Sequence, residues 1–188
     1  MSTRALERRR DGTAYVGMVV FLGGWAMLFA ALFFAYATVR TRAPVWPPDG
    51  DVHLPLGLPA LSTLVLAASS VALALGERAL RRDRAQAVAP SLLVTILLGT
   101  LFLLVQLTVW RRVWLNGLQP STDIYGSVFY ALTTFHALHV LVGLVGLALL
   151  LPRALDHRLP STSLKLWAMY WHFVGLVWLV MFASVYAC

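Results

Sequence analysis

The chain has 188 residues, 60% of them apolar and only 12% charged. A water-soluble domain reaches about 45 to 50% apolar only with glycine counted and carries about twice this share of charge, so a soluble globule is excluded and an integral membrane protein is indicated. Fifteen basic against eight acidic residues give a net charge of +7, and the lone cysteine, Cys188, is the final residue, which leaves no intrachain disulfide and no prenylation box.

Five apolar stretches follow in chain order, at 14–39, 56–76, 90–110, 126–151 and 164–187. Each reaches the length of about 20 helical residues that a hydrocarbon layer roughly 30 Å thick requires. The period-two alternation of a membrane barrel is missing, so the expected fold class is all-α, an integral membrane bundle of five transmembrane helices. All eight carboxylates (Glu7, Asp11, Asp49, Asp51, Glu77, Asp83, Asp123 and Asp156) fall between the stretches, where a charge escapes the cost of mid-membrane placement.

The first stretch follows Arg8 to Arg10 and contains Ala35-Tyr36-Ala37, the pattern of a signal peptide with a cleavage site. Its apolar core exceeds the roughly 7 to 15 residues of a signal sequence, so it is expected to remain as a membrane helix. Pro44 to Pro48, with Asp49, Gly50 and Asp51, makes the longest turn outside the membrane, and Trp46 suits the headgroup level there. No segment between the spans can build a soluble core. The organisation expected is a cytoplasmic N-terminal segment, 1–13, and one five-helix membrane domain, 14–188.

Basic residues set the orientation, because cytoplasmic loops gather them. The N-terminus (Arg4, Arg8, Arg9, Arg10), the second loop (Arg78, Arg81, Arg82, Arg84) and the fourth loop (Arg153, Arg158, Lys165) carry eleven, whereas Arg40, Arg42, Arg111 and Arg112 on the other side are four. The N-terminus is therefore expected in the cytoplasm and the C-terminus outside, in the cell's inner (plasma) membrane. Placed at membrane edges facing anionic lipid, the basic excess calls for no nucleic-acid partner.

Polar residues within the spans are few, and the histidines carry most information. His136 and His139 lie three apart on the fourth helix, about 15 Å in from its outer end, and His172 lies about 12 Å in from the cytoplasmic end of the fifth. Antiparallel helices would bring the three to similar depth. Three histidines can be read as ligands of a metal or haem, or as neutral imidazoles hydrogen-bonded to Thr133, Gln106 or backbone carbonyls. Two haems stacked across the membrane need ligands far apart along a helix, and a zinc or iron site wants a carboxylate or thiolate that the spans lack. The residues thus favour a structural polar cluster of His136, His139, His172, Gln106 and Thr133, with no catalytic, cofactor or metal site in this chain.

Small residues (Gly23, Gly24, Ala26, Ala30 and Ala31 on the first helix, Ala67 to Ser70 on the second, Gly143 and Gly146 on the fourth) allow close helix contact. Tyr15, Trp110, Trp114, Tyr125 and Tyr186 near span ends read as interfacial anchors.

Several separated strings carry a resemblance: FLGGWAMLFAALFFAY (21–36), WPP (46–48), STLVLAASSVAL (62–73), GTLFLLVQ (99–106), YGSVFYALTTFHALHV (125–140) and YWHFVGLVWLVMFASVY (170–186). From about Tyr15 to Tyr186 the chain resembles subunit III of the haem-copper respiratory oxidases, in the short five-helix form. The resemblance implies a non-catalytic subunit that packs against the catalytic subunit I and other oxidase subunits, where the haem and copper reside. It further implies phospholipid binding in a cleft, support of cytoplasmic proton uptake, and protection of the catalytic subunit during electron transfer from cytochrome c or quinol to oxygen. The histidines matching His136, His139 and His172 are structural in that family. Three positions depart from it, all by loss of an acid: Trp25 after F-L-x-S, Val109 in Q-x-x-E, and Gly175 after W-H-F-V. These losses keep open an accessory role in a related haem-copper enzyme such as nitric oxide reductase. A small membrane transporter is the reading from another class, weakened by the absence of charge at depth and of an inverted repeat.

Overall fold

A computed structural model describes residues 3–43, 57–117 and 124–186 of the chain. The described residues form five long helices: α1 (Thr3–Arg42), α2 (Gly57–Arg81), α3 (Val88–Leu115), α4 (Ile124–Leu155) and α5 (Ser161–Met181), the last continued by a π-helical turn at Phe182–Tyr186. Each is long and apolar enough to span a bilayer. The Pro44–Pro48 turn, Trp46 and Cys188 lie outside the described residues, as do the side chains of Tyr125 and Tyr186.

The helices overrun the apolar stretches. At about 1.5 Å per residue, the 40 residues of α1 measure roughly 60 Å, twice the hydrocarbon layer. Its first turns, through Arg8 to Arg10, continue as helix beyond the membrane edge and belong to the same element as the span. Apolarity marks where a helix meets lipid, not where its backbone hydrogen bonds stop.

Two of the helices end on residues that sequence rules do not favour there. Asp83 and His157 adopt φ of 56° and 55°, left-handed values more usual for glycine. The amide after each folds back over the helix end, Arg84 N donating to Ala79 O at 2.9 Å and Arg158 N to Arg153 O at 2.9 Å. Gly117, at φ 93°, ends α3, its amide donating to Trp114 O at 3.1 Å.

α5 is flanked by α1, α2 and α4, while α3 bridges α2 and α4 on the far side, so neighbouring helices close a ring around a common core. Trp171, Trp178, Phe102 and Phe129 are the largest side chains wholly inside it. Trp171 fits between helices because glycine faces it on two sides. A Cβ added at Gly99 would come within 2.6 Å of its ring, and one at Gly143 within 2.8 Å. Gly146 stands likewise against Trp167, at 2.1 Å. The expected role of Gly143 and Gly146 thus holds, but Gly23 and Gly24 differ, since a Cβ at either would meet nothing within 4 Å. α1 is the outlying helix. Only 6% of its apolar window is buried, so its small residues face outward.

Candidate functional site

The polar side chains within the spans form a ladder of hydrogen bonds between helices. On the α2–α5 seam the Trp171 indole donates to Ser69 Oγ at 3.1 Å and, two turns along, Trp178 donates to Thr63 Oγ1 at 2.9 Å. On the α2–α3 seam Ser91 Oγ donates to Ala72 O, and Thr95 Oγ1 is 3.4 Å from Ser69 O. Trp110 Nε1 reaches Thr133 Oγ1 across α3–α4 at 3.0 Å, and Tyr170 Oη donates to His139 O across α4–α5 at 3.0 Å. In hydrocarbon each such bond contributes about 0.6 to 2 kcal/mol, because no water competes for the partners. Trp110 accordingly works inward as an interhelical donor, whereas Trp114 is half exposed, as an interfacial anchor should be.

The histidines do not converge. His136 and His139 are buried, at 1% and 4% exposure, and both stand among aromatic rings. His136 has Trp178 at 5.2 Å, Phe102 at 5.9 Å and Phe29 at 6.4 Å between ring centroids. His139 takes Trp25 edge-on at 4.1 Å and Phe29 at 5.1 Å. Its Nδ1 lies 2.6 Å from Phe135 O, so that nitrogen carries the proton. His139 Nε2, both nitrogens of His136 and both amide atoms of Gln106 are buried without a hydrogen-bond partner. The cross-helix bonds expected from His136 to Thr133 or Gln106 are therefore not the ones formed; Thr133 bonds instead to Phe129 O and Trp110. His172 is half buried on another flank of α5, where it lines a groove of about 300 Å³ with Thr63, Ser70 and Gly175. Among the described residues, no three His, Cys, Asp or Glu side chains gather as a metal ion would need.

The three positions where the resemblance implied the loss of an acid are each filled differently. Trp25 covers His139. Val109 is wholly buried in the core. Gly175 borders the groove beside His172, where a Cβ would be in ordinary contact with Ser70 Oγ, at 3.4 Å.

Charged residues meet at one end of the bundle, in a groove of about 510 Å³ lined by Asp11, Tyr15, Glu77, Arg81 and Lys165 together with the start of α5. Lys165 Nζ lies 5.0 Å over the Tyr15 ring, a cation–π contact. At the opposite end of α1, Arg40 Nη1 donates to Ser184 O in the π-helical turn at 3.3 Å.

Five apolar helices tied across their seams by indole and hydroxyl bonds make a membrane scaffold. Comparison with known proteins decides which scaffold: the family described as cytochrome c oxidase subunit III matches residues 8–188. The chain belongs to that family. A Mycobacterium leprae protein named "Probable cytochrome c oxidase subunit 3" is 34% identical over 99% of this chain and 93% of its own length. The cytochrome c oxidase subunit 3 of Synechocystis is 34% identical over 90% of this chain and 73% of its own, and the human one 35% identical over 90% and 67%. The chain is thus a subunit III of a haem-copper oxidase, non-catalytic in itself, and works in a complex with other oxidase subunits. With five spanning helices it is a multi-pass protein of the plasma membrane.

The histidines were the strongest signal in the sequence, yet the residues that join the helices are the tryptophans. Trp171 and Trp178 are seven apart on α5 and face Ser69 and Thr63, six apart on α2. That matched spacing on two antiparallel helices was the available sign.

Proposed function

We propose that this chain holds a haem- and copper-bearing catalytic subunit I in its working form during electron transfer to oxygen, and binds phospholipid at its edges. Family membership carries the first part. The groove at Asp11, Tyr15, Glu77, Arg81 and Lys165 supports the second, because it presents both signs of charge at a membrane boundary. The ammonium and phosphate of a zwitterionic headgroup would each meet an opposite charge there, with Tyr15 holding Lys165 in place. The N-terminus is cytoplasmic in this reading and the C-terminus outside.

Affinity purification of the tagged chain from its native membrane tests the assignment. A catalytic subunit with a haem absorption spectrum is expected to co-migrate, and its identity separates an oxidase from a nitric oxide reductase. Purification with no haem-bearing partner would overturn the proposal. Native mass spectrometry of the same complex should show bound phospholipid that is lost in the paired Arg81→Ala, Lys165→Ala variant.

A further inference from the structure

The seam between α2 and α5 carries polar groups that neither helix uses. Thr63, Ala67 and Ser70 on α2 recur at three- and four-residue spacing and so share one stripe, as do His172, Gly175 and Leu179 on α5. The two stripes line the walls of the groove of about 300 Å³. Hydroxyls nearby bond back to their own helix, Ser62 to Pro59 O at 2.9 Å and Ser69 to Leu66 O at 2.7 Å. Ser70 Oγ and the His172 imidazole make no hydrogen bond to any of the described residues. Thr63, farther along the groove, already donates to Pro59 O and accepts from Trp178.

Position and shape narrow what can answer this pair. His172 stands seven residues past Lys165 and Ser70 seven residues before Glu77, so both lie about 10 Å along their helices from the charged groove at the end of the bundle. An ionic headgroup held by Arg81 and Lys165 stays at that rim, and its acyl chains offer nothing to an imidazole or a hydroxyl. Gly175 keeps the space between the pair open. A Cβ there would touch Ser70 Oγ at 3.4 Å, so a larger side chain would fill the groove one helical turn from His172. Farther from the rim the walls turn apolar, at Leu66, Leu176 and Leu179. An imidazole and a hydroxyl each donate a hydrogen bond in every protonation state they reach here, so the site asks for neutral acceptor oxygens on a compact head that carries an apolar tail.

We propose that the α2–α5 groove binds an isoprenoid quinone, with its ring beside Gly175, its carbonyl oxygens accepting from His172 and Ser70, and its tail along Leu176 and Leu179. A quinone ring carries two acceptor oxygens at opposite edges and no charge, so it enters the membrane below the headgroups, where a phosphate would lose its hydration. The groove stands at the small end of ligand pockets, which suits a ring head and leaves most of the tail in lipid. Donors on both walls hold the ring across the seam, and the glycine admits it. The proposal is one of binding. It goes beyond the scaffold role and holds whichever haem-copper enzyme the chain serves.

The test uses the whole complex purified from native membrane. A photoreactive azidoquinone with a short prenyl tail is expected to label this chain within 63–70 or 172–179, and an excess of the unlabelled quinone is expected to compete. The paired Ser70→Ala, His172→Phe variant should weaken that labelling about ten-fold, the factor that two hydrogen bonds in hydrocarbon give. Gly175→Leu keeps both donors, fills the space between them and should abolish it. Labelling of a quinone site on another subunit should be the same in every variant. Absence of competed label from these two segments of the parent chain overturns the proposal. So does undiminished labelling of the paired variant or of Gly175→Leu, the result expected if water or lipid answers the imidazole and the hydroxyl. Haem in the purified material shows that a variant has assembled, and for one that has not, labelling and competition in the parent decide alone.

Discussion

Trp171 is clamped between glycines, and the clamp can be measured. A Cβ at Gly143 would lie 2.8 Å from Trp171 Cε3 and 3.0 Å from Cζ3, while Gly99 closes the other side of the ring at 2.6 Å from Cη2, so the indole cannot step away. Gly143→Ala should therefore cost about 2 kcal/mol, within the range for overpacking a filled core. Trp171→Phe shortens the ring and removes the bond to Ser69, for a loss also of about 2 kcal/mol. Together they should cost about 2.5 kcal/mol and not about 4, because the added methyl occupies space the smaller ring vacates, a coupling of about 1.5 kcal/mol. Gly23→Ala is the internal control; its methyl meets nothing, and stability should stay within about 0.5 kcal/mol of the parent. Reversible unfolding in mixed detergent micelles, followed by far-ultraviolet circular dichroism, gives all four values. Losses at 143 and 171 that add to within about 0.5 kcal/mol would refute the clamp.

His136→Leu should leave stability unchanged or raise it by about 1 kcal/mol, since both ring nitrogens are buried without partners; a loss above about 2 kcal/mol in the same unfolding assay would mean that the imidazole binds something. A hydrophobic carbodiimide should label no residue within the five spans, because none carries a carboxylate, and should label the Gly175→Asp variant, whose new side chain has room beside Ser70. A reporter fused after Cys188 should be active only outside the cytoplasm, and activity confined to the cytoplasm would reverse the orientation expected from the arginines.

The number of helices and their place in the membrane were legible because lipid imposes a single rule on long apolar runs. Helix ends were less so. Asp83 and His157 end α2 and α4 in the left-handed conformation without the glycine that usually marks it. Gly23 with Gly24 and Gly143 with Gly146 look alike as glycine pairs, but only the second pair meets tryptophan rings, a distinction set by which face of each helix points inward. α4 lies in the ring of packed helices and α1 at its edge, and no local pattern records that. His172 stands apart from His136 and His139 for a related reason. Similar depth on antiparallel helices places residues on a common level, but the rotation of α5 turns His172 toward α2 while His136 and His139 face other rings.

Gln106 and Val109 allow a test of why the buried amide stands alone. They are three apart on α3, close enough for side chains to meet, and Val109 is wholly buried. In the isolated chain Gln106→Leu removes two unpaired polar atoms and should stabilise by about 1 kcal/mol. A glutamate at 109 would enter the same dry interior in its neutral form and could both donate to the amide and accept from it. Val109→Glu itself should be destabilising, by about 2 kcal/mol, because a core filled by valine must take a longer, polar side chain. In that background the effect of Gln106→Leu should change sign, to a loss of about 1 kcal/mol, since the substitution now strands the carboxyl. The reversal is insensitive to how much either single change costs. If Gln106→Leu destabilises the otherwise unaltered chain, the amide already has a partner within the bundle, and the reading of it as an unpaired buried group fails.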